Sequence, residues 1–371
     1  MSILFSPVRI GTMAVTNRIA RSATGEGMCA RDGQATPLLA GLYRTLAQGG
    51  VGLIMTGHSF VRADGKASKG MMGVHSDAMI PGLRSIADAV HETEARVVCQ
   101  LNHAGRQTRP ELIGGGRPVA PSAVTDKSSG ITPRALDASE VEDLVACYVA
   151  AARRSREAGF DGVQLHCAHG YLMSEFLSPY TNRRDDAWGG SPEARARFPL
   201  EVLRRIRAEL GRDFPVLVKL NAEDFIEGGL PLEESCGTGQ ALEAEGIDAI
   251  EISAGMAETA DRIMRKKIDS EDKEAYFLPQ VREFAARVSC PLICVGGLRS
   301  RTVMESVIEG GAAAMVALCR PLIREPDLPR KLREGTASRA TCISCNGCTR
   351  GPDGRLGCVL DMDVPESGRP A

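Results

Sequence analysis

The chain has 371 residues, 43 % of them hydrophobic, and a formal net charge of −2. That is enough apolar material for a large core, and too even a charge for a nucleic-acid binder, which carries a basic excess or stripe. No apolar run approaches the about 18 residues of a membrane span and no cleavable leader is seen at Met1, so a soluble cytoplasmic protein is expected.

In chain order, the first apolar run is Arg18–Ala23, which reads as a buried strand. Pro37–Gln48 follows as a helix, capped by Thr36 and closed by Gly49-Gly50. Val51–Met55 and Arg96–Leu101 read as the second and third strands. A stretch rich in Gly, Pro and Ser, Thr108–Thr132, interrupts the rhythm before helix Ala138–Ala158. Strand Gly162–His166 comes next, then a second excursion, Ser178–Ser191, and helix Pro192–Leu210 with proline at its first position. The remaining strands are Val216–Leu220, Ala249–Ser253, Leu292–Val295 and Ala314–Leu318. The remaining helices are Pro231–Glu245, Pro279–Val288 and Arg301–Glu309. Short, continuously apolar strands alternating with helices indicate a parallel sheet covered on both faces. Eight such strands predict an α/β fold of the (β/α)8 TIM-barrel type over residues 1–335, followed by a cysteine-containing extension over 336–371. An open doubly wound sheet is the alternative; it would call for a glycine-rich dinucleotide loop after the first strand, and none is there.

Barrel active sites gather at the C-terminal ends of the strands, and phosphate is often held by the loops after strands seven and eight. Those loops read Gly296-Gly297-Leu298-Arg299 and Cys319-Arg320-Pro321. The glycines let backbone N–H groups approach an anion and Arg320 adds a charged contact; the plainer alternative for Gly296-Gly297 is a tight turn. Just beyond the fourth strand lies His166-Cys167-Ala168-His169-Gly170-Tyr171. Two imidazoles three residues apart can converge on one face of a helical turn and donate hydrogen bonds to a carbonyl oxygen, with Tyr171 as a weak acid. The alternatives are a metal site completed by Cys167 or Glu175, and two structural histidines closing a strand.

His166–Ser191 (HCAHGYLMSEFLSPYTNRRDDAWGGS) resembles the signature of the Old Yellow Enzyme family. Leu4–Glu26, Gln100–Arg106 (QLNHAGR), Val295–Arg299 (VGGLR) and Leu318–Leu328 are similar to that family's other motifs and fall in its order, so the resemblance runs from about residue 3 to 360. It implies FMN at the barrel mouth. By position, Ala23 and Thr24 would lie along the flavin ring, Gln100 at its pyrimidine side and Lys219 beside N1–O2, where a cation stabilises the anionic reduced flavin. For Gln100 and Lys219 the alternative is a polar residue filling a barrel layer; a buried lysine is rare without a partner, which favours the flavin. His166 and His169 match the family's substrate-carbonyl pair, Tyr171 its proton donor, and Gly296, Gly297 and Arg320 its phosphate contacts. Cys319 departs from the small residue usual before that arginine; its side chain would crowd the phosphate, while a backbone contact would survive.

Four of the 12 cysteines crowd together as Cys342-x2-Cys345-x2-Cys348-x9-Cys358. The cluster resembles the segment that holds a 4Fe–4S cluster in dienoyl-CoA reductases and in trimethylamine dehydrogenase-like enzymes, although the spacing is shorter. Iron–sulfur, zinc and a reduced, metal-free set all stay open from spacing. The function implied is an ene-reductase: NADH or NADPH reduces FMN, and hydride passes to an α,β-unsaturated carbonyl compound while Tyr171 supplies a proton. The alternatives are an amine dehydrogenase or demethylase, a metal-dependent hydrolase or lyase, and a non-catalytic electron carrier. The expected partner is a small enone-type molecule, with neither nucleic acid nor membrane, in a chain that can self-associate. The substrate-shaping loops would be Thr108–Thr132 and Glu258–Tyr276, with Arg265, Lys266 and Lys267 as a basic run that is either a solvated face or a contact for a 2′-phosphate or a CoA moiety.

Overall fold

The computed structural model describes residues 2–351 and 353–362. Its centre is formed by β1 (Ile19–Arg21), β2 (Leu53–Met55), β3 (Arg96–Asn102), β4 (Gly162–Cys167), β5 (Val216–Asn221), β6 (Ala249–Ser253), β7 (Leu292–Val295) and β8 (Met315–Leu318). Each strand pairs in parallel with the next, and β8 returns to β1, so the sheet closes on itself. This is the expected (β/α)8 barrel, with β6 and β7 bounded as the sequence predicts and the other six shifted by a residue or two. The expected polar tail lies, from residue 363 on, outside the described residues.

The outer ring holds α1 (Pro37–Gln48), α2 (Ile80–His91), α3 (Ala138–Glu157), α4 (Leu172–Leu177), α5 (Pro192–Leu210), α6 (Leu232–Ala244), α7 (Ala260–Ile263), α8 (Leu278–Ala285), α9 (Arg301–Glu309), α10 (Arg320–Arg324) and α11 (Leu328–Glu334). The sequence reading did not place α2. Pro81-Gly82 looks like a break, yet proline fits a helix's first turn, and Leu83, Ile86, Ala87 and Val90 give the helix a buried stripe. The helices α4, α7, α10 and α11 are also additions; all but α11 are of six residues or fewer, too short to show a period. Among the described residues no helix is long and apolar enough to cross a membrane.

The barrel interior changes character along its axis. At the base it is apolar: Ala20, Val98, Leu217, Ala249, Ile293 and Met315 pack together, closed from below by Ile10, Met13 and Val15 of an N-terminal hairpin. Side chains of a strand return to the same face every second residue. Two residues further up, the same strands present Ser22, Gln100, Lys219 and Glu251. The polar layer is therefore inside the barrel, at the C-terminal end of the strands, and forms the floor of the site.

Candidate active site

That floor is one hydrogen-bonded network. Gln100 Nε2 donates to Gln164 Oε1 (2.7 Å), Gln164 Nε2 donates to Glu251 Oε2 (2.9 Å), and Glu251 Oε1 accepts from Ser22 Oγ (2.6 Å) and Lys219 Nζ (2.9 Å). Lys219 also donates to Ser22 Oγ at 2.8 Å. The lysine is thus paired within the protein, so the sequence argument that a buried lysine needs the cofactor as its partner does not hold. Both Gln100 and Lys219 line the cavity above all the same. Glu251, Gln164 and Ser22 were missed; a glutamate inside the apolar run AIEIS and a glutamine inside GVQLHC were the available signals.

Above the floor opens a cavity of about 510 Å³, within the range of cofactor sites. One side is aromatic and imidazole-rich. The His166 ring centroid lies 5.3 Å from that of His169 and 5.0 Å from that of Tyr171. The histidines converge, but not on a helical turn as expected. His166 stands near the end of β4, while His169 (φ 65°) and Gly170 (φ 75°) fold the chain back through the left-handed region. Gln107 Nε2 holds the His169 carbonyl at 2.7 Å, and Tyr171 then opens α4. A third imidazole, His58, stands after β2, 5.0 Å from the Tyr171 ring. Asn102 lies 3.0 Å from its Nδ1. The sequence reading overlooked it, although it closely follows a strand's C-terminal end.

Burial governs the protonation of this group. It lowers His58 to about 4, and it holds His166 and His169 well below the ordinary histidine value, the neighbouring imidazoles and the Lys219 charge adding to the effect. Burial raises Tyr171 to about 12. At neutral pH the cluster is therefore three neutral imidazoles and a phenol that keeps its proton. His169 Nε2 lies 2.7 Å from Ser253 Oγ, and among the described residues the buried Nδ1 of His166 meets no partner. Glu175, offered as a metal ligand, instead accepts from the Arg106 backbone N–H at 2.8 Å, and Cys167 packs on Met173. Arg106 is fully buried and joins Glu258 (2.8 Å) to the Thr125 carbonyl (3.1 Å), which ties the two expected substrate loops together.

The opposite end of the cavity is built for an anion. Gly296 (φ 124°) and Gly297 (φ 72°) take conformations that disfavour side chains, and an added Cβ would stand 2.9 and 2.8 Å from the Tyr276 ring. Arg299 and Arg320 are both buried beside them. Among the described residues neither guanidinium meets a carboxylate. Arg299 donates to the carbonyls of Ile268 and Ala340, and Arg320 to neutral oxygens only. Glu274 lies near Arg299 but spends its oxygens on the N–H groups of Arg299 and Ser300 and on the Ser300 hydroxyl. Two buried guanidinium groups with no carboxylate in direct contact among the described residues, beside a glycine-rich turn, suit a phosphate dianion. Cys319 lines the cavity as well, its Sγ 3.0 Å from Thr24 Oγ1.

The glycine-and-arginine end, the imidazole end and the glutamine–lysine floor line one cavity. The family profile described as "NADH:flavin oxidoreductase / NADH oxidase family" matches residues 3–339. The chain belongs to that family. It is 38 % identical over 374 residues to the NADH oxidase of Thermoanaerobacter brockii, a match covering 99 % of this chain and 56 % of that protein. Among solved structures it is similar to 2-naphthoyl-CoA reductase in complex with 2-naphthoyl-CoA, with a TM-score of 0.87 and 31 % identity over 93 % of this chain and 54 % of that one. The old yellow enzyme homologue of Zymomonas mobilis matches with a TM-score of 0.79 and 27 % identity, covering 98 % of this chain and 99 % of that one. The Old Yellow Enzyme resemblance is thereby borne out, and the chain spans little more than half the length of the first two relatives. FMN, the cofactor this family implies, fits the residues present: a dianion site at one end, a polar floor, and donors at the other end.

The cysteine segment folds against the same end of the barrel. Cys348 and Cys358 face each other across a two-stranded hairpin, and Cys319, Cys342, Cys345 and Cys358 all lie within electrostatic reach of Cys348. The Gly347 N–H donates to Cys345 Sγ at 3.4 Å. Among the described residues no three His, Cys, Asp or Glu side chains come together as a ready-made set of metal ligands.

Proposed function

We propose that the chain is an FMN-dependent reductase that takes electrons from NADH or NADPH and reduces the C=C bond of α,β-unsaturated carbonyl compounds. The observation that carries this reading is the neutral His166–His169–Tyr171 cluster at one end of a cavity whose other end suits phosphate. FMN, when bound, supplies the hydride chemistry. Gly296, Gly297, Arg299 and Arg320 would hold its phosphate; Ala23, Thr24, Gln100 and Lys219 would face its ring system. The imidazoles of His166 and His169 donate N–H groups to the substrate carbonyl oxygen and stabilise the negative charge that grows there. Tyr171 retains its proton across the working pH range and delivers it to the α-carbon. The buried walls exclude water, which strengthens each of these contacts.

An amine dehydrogenase would need an aromatic cage for a cation. Here the aromatic wall is shared with three imidazoles, and Lys219 stands among the lining residues, which suits an oxyanion better. A hydrolase or lyase metal site loses its third ligand, because Glu175 turns to Arg106. For the cysteine segment we propose an iron–sulfur cluster, supported by the Cys348–Cys358 hairpin and the N–H to sulfur contact at Cys345; stoichiometric iron and acid-labile sulfide in anaerobically purified protein would support it, and their absence would leave a dithiol hairpin.

The test of the main reading is an anaerobic assay with NADPH and cyclohexenone. The proposal expects one cyclohexanone per NADPH consumed, and a loss of at least about 100- to 1,000-fold in the H166A/H169A double variant, the scale for removing a single oxyanion donor. NADPH consumption that requires oxygen and leaves the enone untouched would refute it.

A further inference from the structure

The hydrogen bonds of Arg320 are divided unevenly between its two edges. Nη1 is the anchored end: it donates to Asn346 Oδ1 (2.5 Å), to the Arg265 carbonyl (2.9 Å) and, more weakly, to the Ser344 carbonyl (3.4 Å). Among the described residues Nε and Nη2 make no hydrogen bond, and the side chain lines the cavity. One edge of the guanidinium is thus fixed to neutral acceptors, while the other is left for a ligand. A planar guanidinium held in this way is pre-organised for two-point contact with phosphate.

Asn346 does more than accept. Its Nδ2 donates to the Met264 carbonyl at 2.8 Å, so one amide joins the arginine after β8 to the loop after β6. The backbone is shaped for this task. Ser344 (φ 56°) and Asn346 (φ 63°) both sit in the left-handed region, a conformation that asparagine tolerates better than most residues. Asn346 stands between Cys345 and Cys348, and the same segment also reaches the loop after β1, where Arg350 Nη1 donates to the Gly27 carbonyl at 2.5 Å.

We propose that Asn346 is a positioning residue of the anion site: it clamps Arg320 so that the free edge of the guanidinium faces the phosphate, and it makes the cysteine segment a structural part of cofactor binding. This rests on the FMN reading above, and FMN and riboflavin, which differ by the phosphate alone, separate the two claims. The measurement is flavin affinity of the full chain by fluorescence quenching, for wild type, N346A, R320A, the N346A/R320A double variant and the conservative N346D. Wild type should bind FMN far more tightly than riboflavin. N346A should weaken FMN by about 10- to 100-fold, the scale for a hydrogen bond to a charged group, and leave riboflavin unchanged. The double variant should be no weaker than R320A alone, and N346D, which sets a carboxylate against the guanidinium, should weaken FMN at least as much as N346A and leave riboflavin unchanged. Equal losses for FMN and riboflavin would mean a merely structural role, and unchanged FMN affinity in N346A would remove the clamp; either outcome overturns the proposal. A wild type that binds both flavins equally would instead refute the phosphate site on which it stands.

Discussion

The floor of the site offers a quantitative test in the Lys219–Glu251 pair. The side chains are 5 % and 0 % exposed, and their contact is 2.9 Å. In E251Q, Lys219 loses its carboxylate and keeps the Ser22 hydroxyl, at 2.8 Å, as a hydrogen-bond partner. In K219M, by contrast, Glu251 keeps two donors, Ser22 Oγ at 2.6 Å and Gln164 Nε2 at 2.9 Å. Stranding a buried charge costs about 3–5 kcal/mol, so E251Q should fall in that range and K219M below it, at about 1–3 kcal/mol, because of its remaining hydrogen bonds. The double variant K219M/E251Q removes both charges and should be more stable than the sum of the single losses implies, with a coupling of about 2 kcal/mol. Urea denaturation of the flavin-free proteins measures the two single losses and the coupling. Single losses that simply add would refute the ion-pair account of the floor.

Y171F should slow enone reduction by about 100- to 10,000-fold, the range for a general acid, and leave reduction of the protein by NADPH unchanged; rapid-mixing measurements separate the two halves. Since burial holds the Tyr171 proton up to about 12, wild-type enone reduction should show no alkaline loss from this group below roughly pH 10. Glu175 predicts a different pH dependence. Burial raises it to about 8, against the opposing charge of Arg106. The folded chain therefore binds a proton that the unfolded chain releases near about pH 4.3, and stability falls as pH rises between those values. E175Q should flatten this slope and gain on wild type between roughly pH 5 and 9, read by denaturation at each pH; a parallel pair of profiles would show that Glu175 is ionised throughout.

The barrel was legible because its strands are buried on both faces and so read as uninterrupted apolar runs, bounded by capped helices such as Pro37–Gln48 and Pro192–Leu210. The site residues on strand ends were legible for the same reason. His166, Lys219, Gly296 and Arg320 stand at places where a barrel points its chemistry. What escaped was the company they keep. That Glu251 neutralises Lys219 across the β5–β6 pair depends on register, and strands in a closed barrel carry no register mark in sequence. His58 and Asn346 reach the site from loops far from His166 along the chain, one well before it and one well after it. No spacing in the sequence marks them as neighbours; their roles emerge only when β2 and the cysteine segment are brought to the same rim.

The most direct test of the central claim is a visible absorption spectrum of the purified protein loaded with FMN, recorded anaerobically before and after NADPH and then after cyclohexenone. The account predicts flavin bands that bleach with NADPH and return with the enone in wild type, and that bleach but return far more slowly in Y171F. A protein that takes up no FMN, or bands that NADPH bleaches and the enone never restores, would contradict it.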